Sequence, residues 1–338
     1  MLLSILKISS SKISSDGSHY YFSRLTDEQK IIYESLLSGM SRVAKEIKIP
    51  IRPINEILKV FNYVLFDNPM IFYVSSFKHT SDLYRKKCSI VPLYTHAQHI
   101  IKEYTSAVEN YFLVFDTIKM KSDIEKEIFV HDHCLNNFSY DYTFGDYSYS
   151  VLGPVLNKSA VSEGFAKFVK LALDYLGIKS LVVSGKAKNP NQGSGMEGYV
   201  WNIVKINGKT YHLDVTANMM QKTKVNRYDY FNLSDHDIKK DHIIIADVPA
   251  CSTEGNDFYS LNSLLVNNIA DLDNYIGKAL KQNKKNILVK IMDTQYTDNI
   301  VKKVIGIAQQ QYNMICNGNA VIEVRYNSSQ MVFEINFK

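Results

Sequence analysis

The residues best suited to chemistry lie on one face of a predicted β-hairpin. Asn207 and Gly208 separate two runs of alternating side chains, which is the strongest short signal for a two-residue turn. This turn fixes the strand register, and alternation then places several polar and aromatic side chains on one face. They are Tyr199, Trp201, His212 and Asp214. Tyr199 and Asp214 become diagonal neighbours, about 7–8 Å apart by backbone. A carboxylate on a buried sheet face needs a polar partner, so Asp214 is either a hydrogen-bonded core aspartate or part of a site.

The histidines and cysteines do not show the spacing of a metal site. His131 and His133 are two residues apart on a predicted helix and therefore point roughly 200° apart. His96 and His99 have better helical spacing but no nearby carboxylate to complete a ligand set. The four cysteines form no CxxC pair and lie in separate predicted elements; they are Cys88, Cys134, Cys251 and Cys316. We therefore expect no metal, no disulfide and no cofactor.

Residues 193–198 spell GSGMEG, which has the form G-x-G-x-x-G. A dinucleotide-binding motif must open a helix, because the helix N-terminus holds the phosphates. Here the segment lies between two predicted strands and opens a strand. We interpret it as a loop over a neighbouring cleft.

Composition excludes several classes of protein. The 338 residues are 46% hydrophobic and 22% charged, which is typical of a folded chain of two or three domains. The net charge of +5 is dispersed, so we expect no nucleic-acid partner. No apolar run approaches the ~18–20 residues that span a bilayer, so we expect no membrane association. As written, the chain predicts a cytoplasmic protein, whereas removal of a signal peptide would indicate a secreted or surface protein.

The first third of the sequence, residues 1–121, predicts a flexible segment followed by helices. Residues 1–19 include a Ser-rich stretch and are predicted to be disordered or flexible. Residues 20–121 are predicted to be mainly helical, with a capping box at Thr26 and Gln29. A short pair of strands is expected within this region. These strands are residues 70–74 and 89–93.

The central part, residues 122–250, predicts helices followed by an antiparallel sheet. A capping box at Ser122 and Glu125 opens one helix. A second helix, residues 159–176, ends at Gly177, which suits a left-handed helix stop. The predicted strands are residues 180–184, 199–206 and 209–215.

The C-terminal part, residues 257–338, predicts a small α/β domain. Its elements follow the order helix, strand, helix, strand, strand. They are residues 264–281, 287–292, 297–311, 320–326 and 331–337. Together, the three parts indicate an α+β fold.

Five blocks of the sequence, in the right order, resemble the bacterial transglutaminase-like superfamily, whose fold is papain-like. The blocks are residues 122–141 (SDIEKEIFVHDHCLNNFSYD), 156–166 (LNKSAVSEGFA), 181–185 (LVVSG), 198–216 (GYVWNIVKINGKTYHLDVT) and 228–242 (YDYFNLSDHDIKKDH). Residues 67–74 (DNPMIFYV) also resemble the segment that precedes this domain in many Firmicutes members. The resemblance covers residues 20–250 and implies a helix packed on an antiparallel sheet, preceded by the mainly helical region.

The resemblance also implies three catalytic positions. In the family, a cysteine lies at a helix N-terminus, a histidine on the next strand and an aspartate on the strand after that. In this chain, Ser162 stands at the cysteine position, Tyr199 at the histidine position and Asp214 at the aspartate position. Further side chains are expected in the former substrate cleft. They are Glu163, Trp201 and His212, of which the last is expected to have a structural role.

These two replacements favour a catalytically degenerate domain. A tyrosine with a pKa of about 10 is roughly 0.1% phenolate at pH 7, so it is a poor general base. We expect a pseudoenzyme that binds a peptide or protein segment through the cleft. The alternatives are an active acyl-transfer enzyme, which uses Ser162 with an unusual base or is inactivated here by an engineered substitution, and a scaffold whose partner surface lies elsewhere.

Overall fold

The computed structural model describes residues 19–82, 87–188, 195–292, 296–297, 299–316, 318 and 320–338. The predicted flexible N-terminus, up to residue 18, lies outside the described residues. The first two residues of the glycine-rich segment, 193 and 194, lie outside them as well.

The N-terminal region combines helices with a three-stranded antiparallel sheet. The helices are α1 (Tyr20–Ser23), α2 (Asp27–Ser41), α3 (Ile54–Asp67) and α4 (Gln98–Phe112), and a 3-10 helix follows at Leu113–Ile118. The strands are β1 (Ile47–Pro50), β2 (Val74–Asp82) and β3 (Lys87–Tyr94), in the order β1-β3-β2. The capping box at Thr26 and Gln29 is confirmed at the start of α2.

One predicted strand in this region is wrong. Residues 70–74 are almost entirely turn and coil, and β2 begins only at Val74. The apolar run is explained by burial, because Met70, Ile71, Phe72 and Tyr73 all belong to the hydrophobic core. A short apolar run indicates burial but does not by itself distinguish a strand from buried coil.

The central region packs one helix against a four-stranded antiparallel sheet, and a second helix packs on the first. The helices are α5 (Asp123–Asn137) and α6 (Ser162–Tyr175), and a parallel strand pair, β4 (Ser139–Tyr140) and β5 (Ser159–Ala160), lies between them in the sequence. The sheet strands are β6 (Ser180–Lys188), β7 (Met196–Ile206), β8 (Lys209–Leu213) and β9 (His242–Ile244), in the order β8-β7-β6-β9. The second helix was predicted from residue 159 but begins at Ser162, because Ser159 and Ala160 pair with β4.

The predicted hairpin register is confirmed. Ile206 pairs with Lys209, and Asn202 pairs with Leu213. The second strand is shorter than predicted, since it ends at Leu213 and not at residue 215. Asp214 instead caps helix α7 (Val215–Gln221) by accepting the backbone N–H of Ala217 at 2.9 Å. The side chain thus stabilises a helix start, which a strand pattern does not reveal.

The C-terminal region forms a four-stranded mixed sheet with two helices. After the short helices α8 (Asp235–Ile238) and α9 (Phe258–Leu261), the helices are α10 (Asp271–Lys281) and α11 (Ile300–Cys316). The strands are β10 (Leu265–Val266), β11 (Asn286–Ile291), β12 (Ile322–Asn327) and β13 (Val332–Phe337), in the order β10-β11-β13-β12. The first helix begins later than predicted because β10 occupies its first residues.

Two large hydrophobic clusters and one small one are found among the described residues. The largest runs from Tyr21 to Tyr259 and includes Val332, and the second runs from Val266 to Phe337. The small one comprises Tyr230, Leu233 and Ile238. The α+β class, with its helical N-terminal region, is therefore confirmed. Among the described helices, none is long and apolar enough to cross a bilayer.

Candidate functional site

A cleft of about 890 Å³ lies where the N-terminus of α6 meets the sheet. Helix α3, strands β4, β6 and β7, and the loop between β4 and β5 also contribute to its walls. Its lining residues are Asn62, Leu65, Phe66, Tyr140, Phe144, Tyr149, Val161, Ser162, Glu163, Ser184, Gly185, Glu197, Gly198, Tyr199 and Val200. Three of the residues singled out from the sequence therefore line one cleft. They are Ser162, Glu163 and Tyr199.

Ser162 is the first residue of α6 and is 7% exposed. Among the described residues, its hydroxyl has no hydrogen-bond partner, and no side chain caps the helix start. The helix dipole favours an anion at this position. The neighbouring Glu163 already supplies a carboxylate to the first turn and pairs with Lys167 at 2.6 Å.

Tyr199 and Asp214 are in contact, as their diagonal placement on the hairpin indicated. The Tyr199 hydroxyl donates a hydrogen bond of 3.4 Å to Oδ1 of Asp214. Burial raises the pKa of the Tyr199 phenol well above its usual value, and the Asp214 charge raises it further. The phenol is therefore a hydrogen-bond donor at neutral pH and does not accept a proton from a nucleophile.

The second oxygen of Asp214 binds a histidine that the sequence did not single out. Nε2 of His242 lies 3.1 Å from Oδ2 of Asp214, and Nδ1 lies 2.7 Å from Oδ1 of Asp241. Tyr230 donates its hydroxyl to the other Asp241 oxygen at 2.6 Å. Burial disfavours a charged ring, but the hydrogen bonds and charges of the two carboxylates outweigh it and raise the pKa of His242 to about 9.

His242 therefore stands as an imidazolium between two carboxylates. It is 4% exposed, and its ring lies 5.6 Å from the Tyr199 ring, centroid to centroid. Its location on β9 explains why sequence reasoning missed it. No local spacing relates position 242 to position 214, and the Asp241-His242 pair was the only signal.

Trp201 and His212 lie behind this layer and are not among the residues that line the cleft. Trp201 Nε1 donates to His212 Nδ1 at 3.0 Å, and His212 Nε2 lies 2.8 Å from Asp235 Oδ1. An indole nitrogen is only a donor, so Nδ1 accepts and the ring proton is on Nε2. Both ring nitrogens of the fully buried His212 are therefore engaged in hydrogen bonds.

One group of possible metal ligands occurs among the described residues. His212, Asp235 and Cys251 have ligand atoms within 4.8 Å of one another. However, the indole of Trp201 already occupies Nδ1 of His212, and Nε2 bears the proton that is donated to Asp235. Burial also raises the pKa of the Cys251 thiol to about 12, with a further contribution from the Asp235 charge. This hydrogen-bonded cluster does not offer the lone pairs that a metal ion needs.

Comparison with solved structures finds distant similarities. One is a structure titled "Crystal structure of a TGase", with 13% identity over 51% of each chain and a TM-score of 0.30. Another is a putative cysteine protease from Cytophaga hutchinsonii, with 12% identity over 42% of this chain and 62% of that chain, and a TM-score of 0.24. The chain thus spans about half the length of the first structure and less than two thirds of the second. No curated protein matches this chain.

A family profile matches the central part of the chain. Residues 114–215 match the transglutaminase-like superfamily. This range contains Ser162, Tyr199 and Asp214, whereas His242 lies beyond it. The chain therefore contains a domain of the transglutaminase-like superfamily.

Proposed function

We propose that this domain binds a peptide or protein segment in its cleft and does not perform cysteine-type acyl transfer. The observation that carries the proposal is the engagement of Asp214. One carboxylate oxygen accepts from Tyr199 and from the backbone of Ala217, and the other binds His242. The carboxylate thus holds a protonated phenol at the position where the resemblance requires an imidazole.

The same arrangement argues against an active serine enzyme. Ser162 needs a base within hydrogen-bond reach, and its hydroxyl has no side-chain partner among the described residues. Tyr199 retains its proton because its pKa is raised. Among the described residues, His242 is the only imidazole bound to Asp214, but two carboxylates stabilise its protonated form. Loss of a nucleophile or base from a catalytic triad costs up to about 10⁶-fold in turnover.

The cleft itself retains the features of a binding site. Phe144 and Tyr149 line it and are 46% and 50% exposed, so large aromatic surfaces face solvent at its rim. Exposed aromatic side chains beside polar groups are typical of protein-binding sites, because a bound partner removes their apolar surface from water and thereby stabilises the complex. A polar and aromatic cleft of this size suits an extended chain segment.

Binding and chemistry are tested separately. A random dodecapeptide phage library supplies the ligand, and fluorescence polarisation measures the affinity of its tightest member. We expect Tyr149→Ala to weaken binding at least tenfold. The matched control is Tyr326→Ala, because Tyr326 is 40% exposed and lies on β12 in the C-terminal region. Absence of any selected peptide, or equal effects of the two substitutions, would contradict the binding proposal.

A fluorophosphonate probe tests for nucleophilic chemistry. We expect no label on the wild type above the level of Ser162→Ala. Labelling of the wild type that is abolished by Ser162→Ala would identify a reactive serine and favour the acyl-transfer alternative.

A further inference from the structure

Strand β12 forms an open edge of the C-terminal sheet. The sheet has the order β10-β11-β13-β12, and among the described residues β12 has a neighbouring strand only on its β13 side. The opposite edge strand, β10, is two residues long, whereas β12 has six residues. A very short edge offers little backbone for pairing, but an open edge of six residues is a template for an added strand.

The hydrogen-bond pattern between β12 and β13 shows which backbone groups face the open side. Val321 and Lys338 donate to each other's carbonyl oxygens at 3.3 and 3.0 Å, so they form a hydrogen-bonded pair next to the strand ends. Alternation along the antiparallel ladder turns the N–H and C=O groups of Glu323 and Arg325 toward β13 as well. The residues between them therefore point these groups away from β13.

The outward backbone groups belong to Ile322, Val324 and Tyr326. A separate contact supports this assignment, since Phe337, which lies opposite Ile322, donates its N–H to Lys285 O next to β11 at 2.9 Å. Within the described part of the chain, the outward groups have no backbone partner. The side chains of these three residues share one face of the sheet, and Tyr326 is 40% exposed there.

The opposite face of β12 bears two opposite charges, two residues apart. The Arg325 guanidinium donates to Oε1 of Glu323 at 3.0 Å, and Lys338 pairs with the other oxygen of this carboxylate. The Arg325 side chain is 52% exposed, so the central region does not cover this part of the strand. Both charges are therefore accessible to a partner.

The strand is complementary to a second copy of itself. When two copies of β12 lie antiparallel with Val324 opposite the partner's Val324, Glu323 lies opposite the partner's Arg325, and Arg325 opposite the partner's Glu323. The outward backbone groups then meet in hydrogen-bonded pairs, which are Ile322 with the partner's Tyr326, the two Val324 residues, and Tyr326 with the partner's Ile322. The charged pairs occupy the positions between them, where Cβ atoms on opposed strands are about 4.5–5.5 Å apart.

Charge also disfavours the neighbouring registers. A slide in one direction that keeps the outward groups opposed places Glu323 opposite the partner's Glu323. A slide in the other direction places Arg325 opposite the partner's Arg325. Like charges directly opposite each other destabilise a strand pair, so a single register is favoured.

We propose that β12 is a homodimerisation edge, at which two copies of this chain pair antiparallel about a two-fold axis between their Val324 residues. The two four-stranded sheets then join into one continuous sheet of eight strands. An isologous contact of this kind closes after two copies. The partner's Ile322 covers the exposed ring of Tyr326. No residue of β12 lines the cleft, so the inference does not depend on peptide binding.

Sedimentation velocity of the full chain measures self-association. We expect a reversible dimer at protein concentrations between about 5 and 500 μM, because a pair of strand edges buries little surface and gives a weak complex. Glu323→Arg and Arg325→Glu each place like charges opposite one another, and each is expected to weaken dimerisation at least about tenfold. A wild type that remains monomeric throughout, or two variants that dimerise as the wild type does, would overturn the proposal.

Mixing the two variants tests the register. In a heterodimer, Glu323→Arg offers two arginines and Arg325→Glu offers two glutamates, so every opposed pair again has opposite charges. We expect the equimolar mixture to dimerise at concentrations where each variant alone is monomeric. The matched control combines both substitutions in one chain, which exchanges the charges at unchanged net charge and should dimerise as the wild type does. Failure of both the mixture and the double variant to dimerise would show that the proposed register is wrong.

A substitution in the backbone provides an independent test. Val324→Pro removes the outward N–H at the centre of the contact without touching the bonds to β13, and is expected to weaken dimerisation at least about tenfold. A folded Val324→Pro variant that dimerises as the wild type does would show that the copies associate through another surface. Should this variant not fold, as judged by circular dichroism, the mixing experiment decides.

Discussion

The His242 imidazole lies 3.1 Å from the Asp214 carboxylate. His242 begins strand β9, whereas Asp214 directly follows the end of β8. The aspartate that the resemblance assigns to orienting a ring at position 199 therefore holds a histidine from β9 as well. Asp241 fixes the opposite side of the same ring at 2.7 Å. The result is a buried cation between two anions at the base of the cleft.

This arrangement predicts a pH-dependent stability. The folded pKa of about 9 for His242 exceeds the ordinary value of 6.5, so the stabilisation is fully present below pH 6.5 and is lost as the pH rises through 9. We expect it to amount to about 3 kcal/mol. Urea unfolding at pH 6 and pH 10 measures it, with His242→Gln as the reference variant. An equal pH dependence in the two proteins would show that His242 is not a protonated ring.

Glu127 predicts a second, separate pH effect. This fully buried carboxyl accepts from Asn232 Nδ2 at 2.9 Å, while its other oxygen and Oδ1 of Asn232 have no partner in the part of the chain that the structure describes. Burial raises the pKa of Glu127 to about 8, partly offset by the hydrogen bond from Asn232. A proton on the unpaired carboxyl oxygen would provide the donor that Asn232 Oδ1 lacks.

The sign again follows from the raised pKa. Relative to the unfolded chain, protonation of Glu127 stabilises the fold below its ordinary pKa of 4.5, and this advantage is lost as the pH rises through 8. We expect Glu127→Gln to be more stable than the wild type at pH 9.5 by about 2–5 kcal/mol, and close to it at pH 5. Urea unfolding at both pH values measures this. A variant that is less stable at pH 9.5 would contradict a buried carboxylic acid.

Much of the site could be predicted from local sequence. The Asn207-Gly208 turn determined the register of β7 and β8, and the register placed Tyr199 close to Asp214. Both capping boxes identified helix starts because their hydrogen bonds join residues only three positions apart. These features depend on neighbours in the chain, which a sequence pattern displays directly.

The features that the sequence analysis did not predict depend on contacts between residues far apart in the chain. His242 and Asp214 are brought together by the pairing of β9 with β6, and no pattern around either residue indicates that pairing. β8 ends at Leu213, and part of the β7 edge is left without a neighbour, because Asp214 caps helix α7. The alternating side-chain pattern had predicted that the strand continues to residue 215. The strand predicted at residues 70–74 failed for a related reason, since tertiary burial of coil produces the same apolar run.

The contact between the central and C-terminal regions predicts a strong effect on stability. Arg227 is 1% exposed, pairs with Asp229 at 2.7 Å and lies 3.8 Å from Glu334 on β13. Arg227→Met would leave two buried carboxylates without their cation, so we expect a loss of about 3–5 kcal/mol in unfolding free energy. The control is Arg325→Met, since Arg325 is half-exposed and its pair with Glu323 should contribute less than about 1 kcal/mol. Equal effects in urea unfolding would contradict a structural role for the buried pair.

The last prediction concerns whether catalytic geometry persists at the cleft. Ser162 begins a helix of 14 residues, and position 199 lies within hydrogen-bond reach of Asp214. Ser162→Cys alone should give a thiol whose pKa lies only modestly below the reference ~8.5, because the helix N-terminus favours the thiolate but Tyr199 cannot serve as an imidazole partner. Ser162→Cys combined with Tyr199→His should lower that pKa by at least about one unit, since the new ring can pair with the thiolate while Asp214 orients it.

Iodoacetamide alkylation rates measured against pH provide the readout. Three native cysteines are buried, but Cys316 is exposed, so both variants are made in a Cys316→Ser background. His242 competes for Asp214, and a third variant that adds His242→Gln to the double mutant should lower the thiol pKa further. If the introduced thiols of all three variants titrate alike, the positions of the triad no longer form a working geometry. In that case the domain is a scaffold whose cleft has diverged in geometry as well as in chemistry.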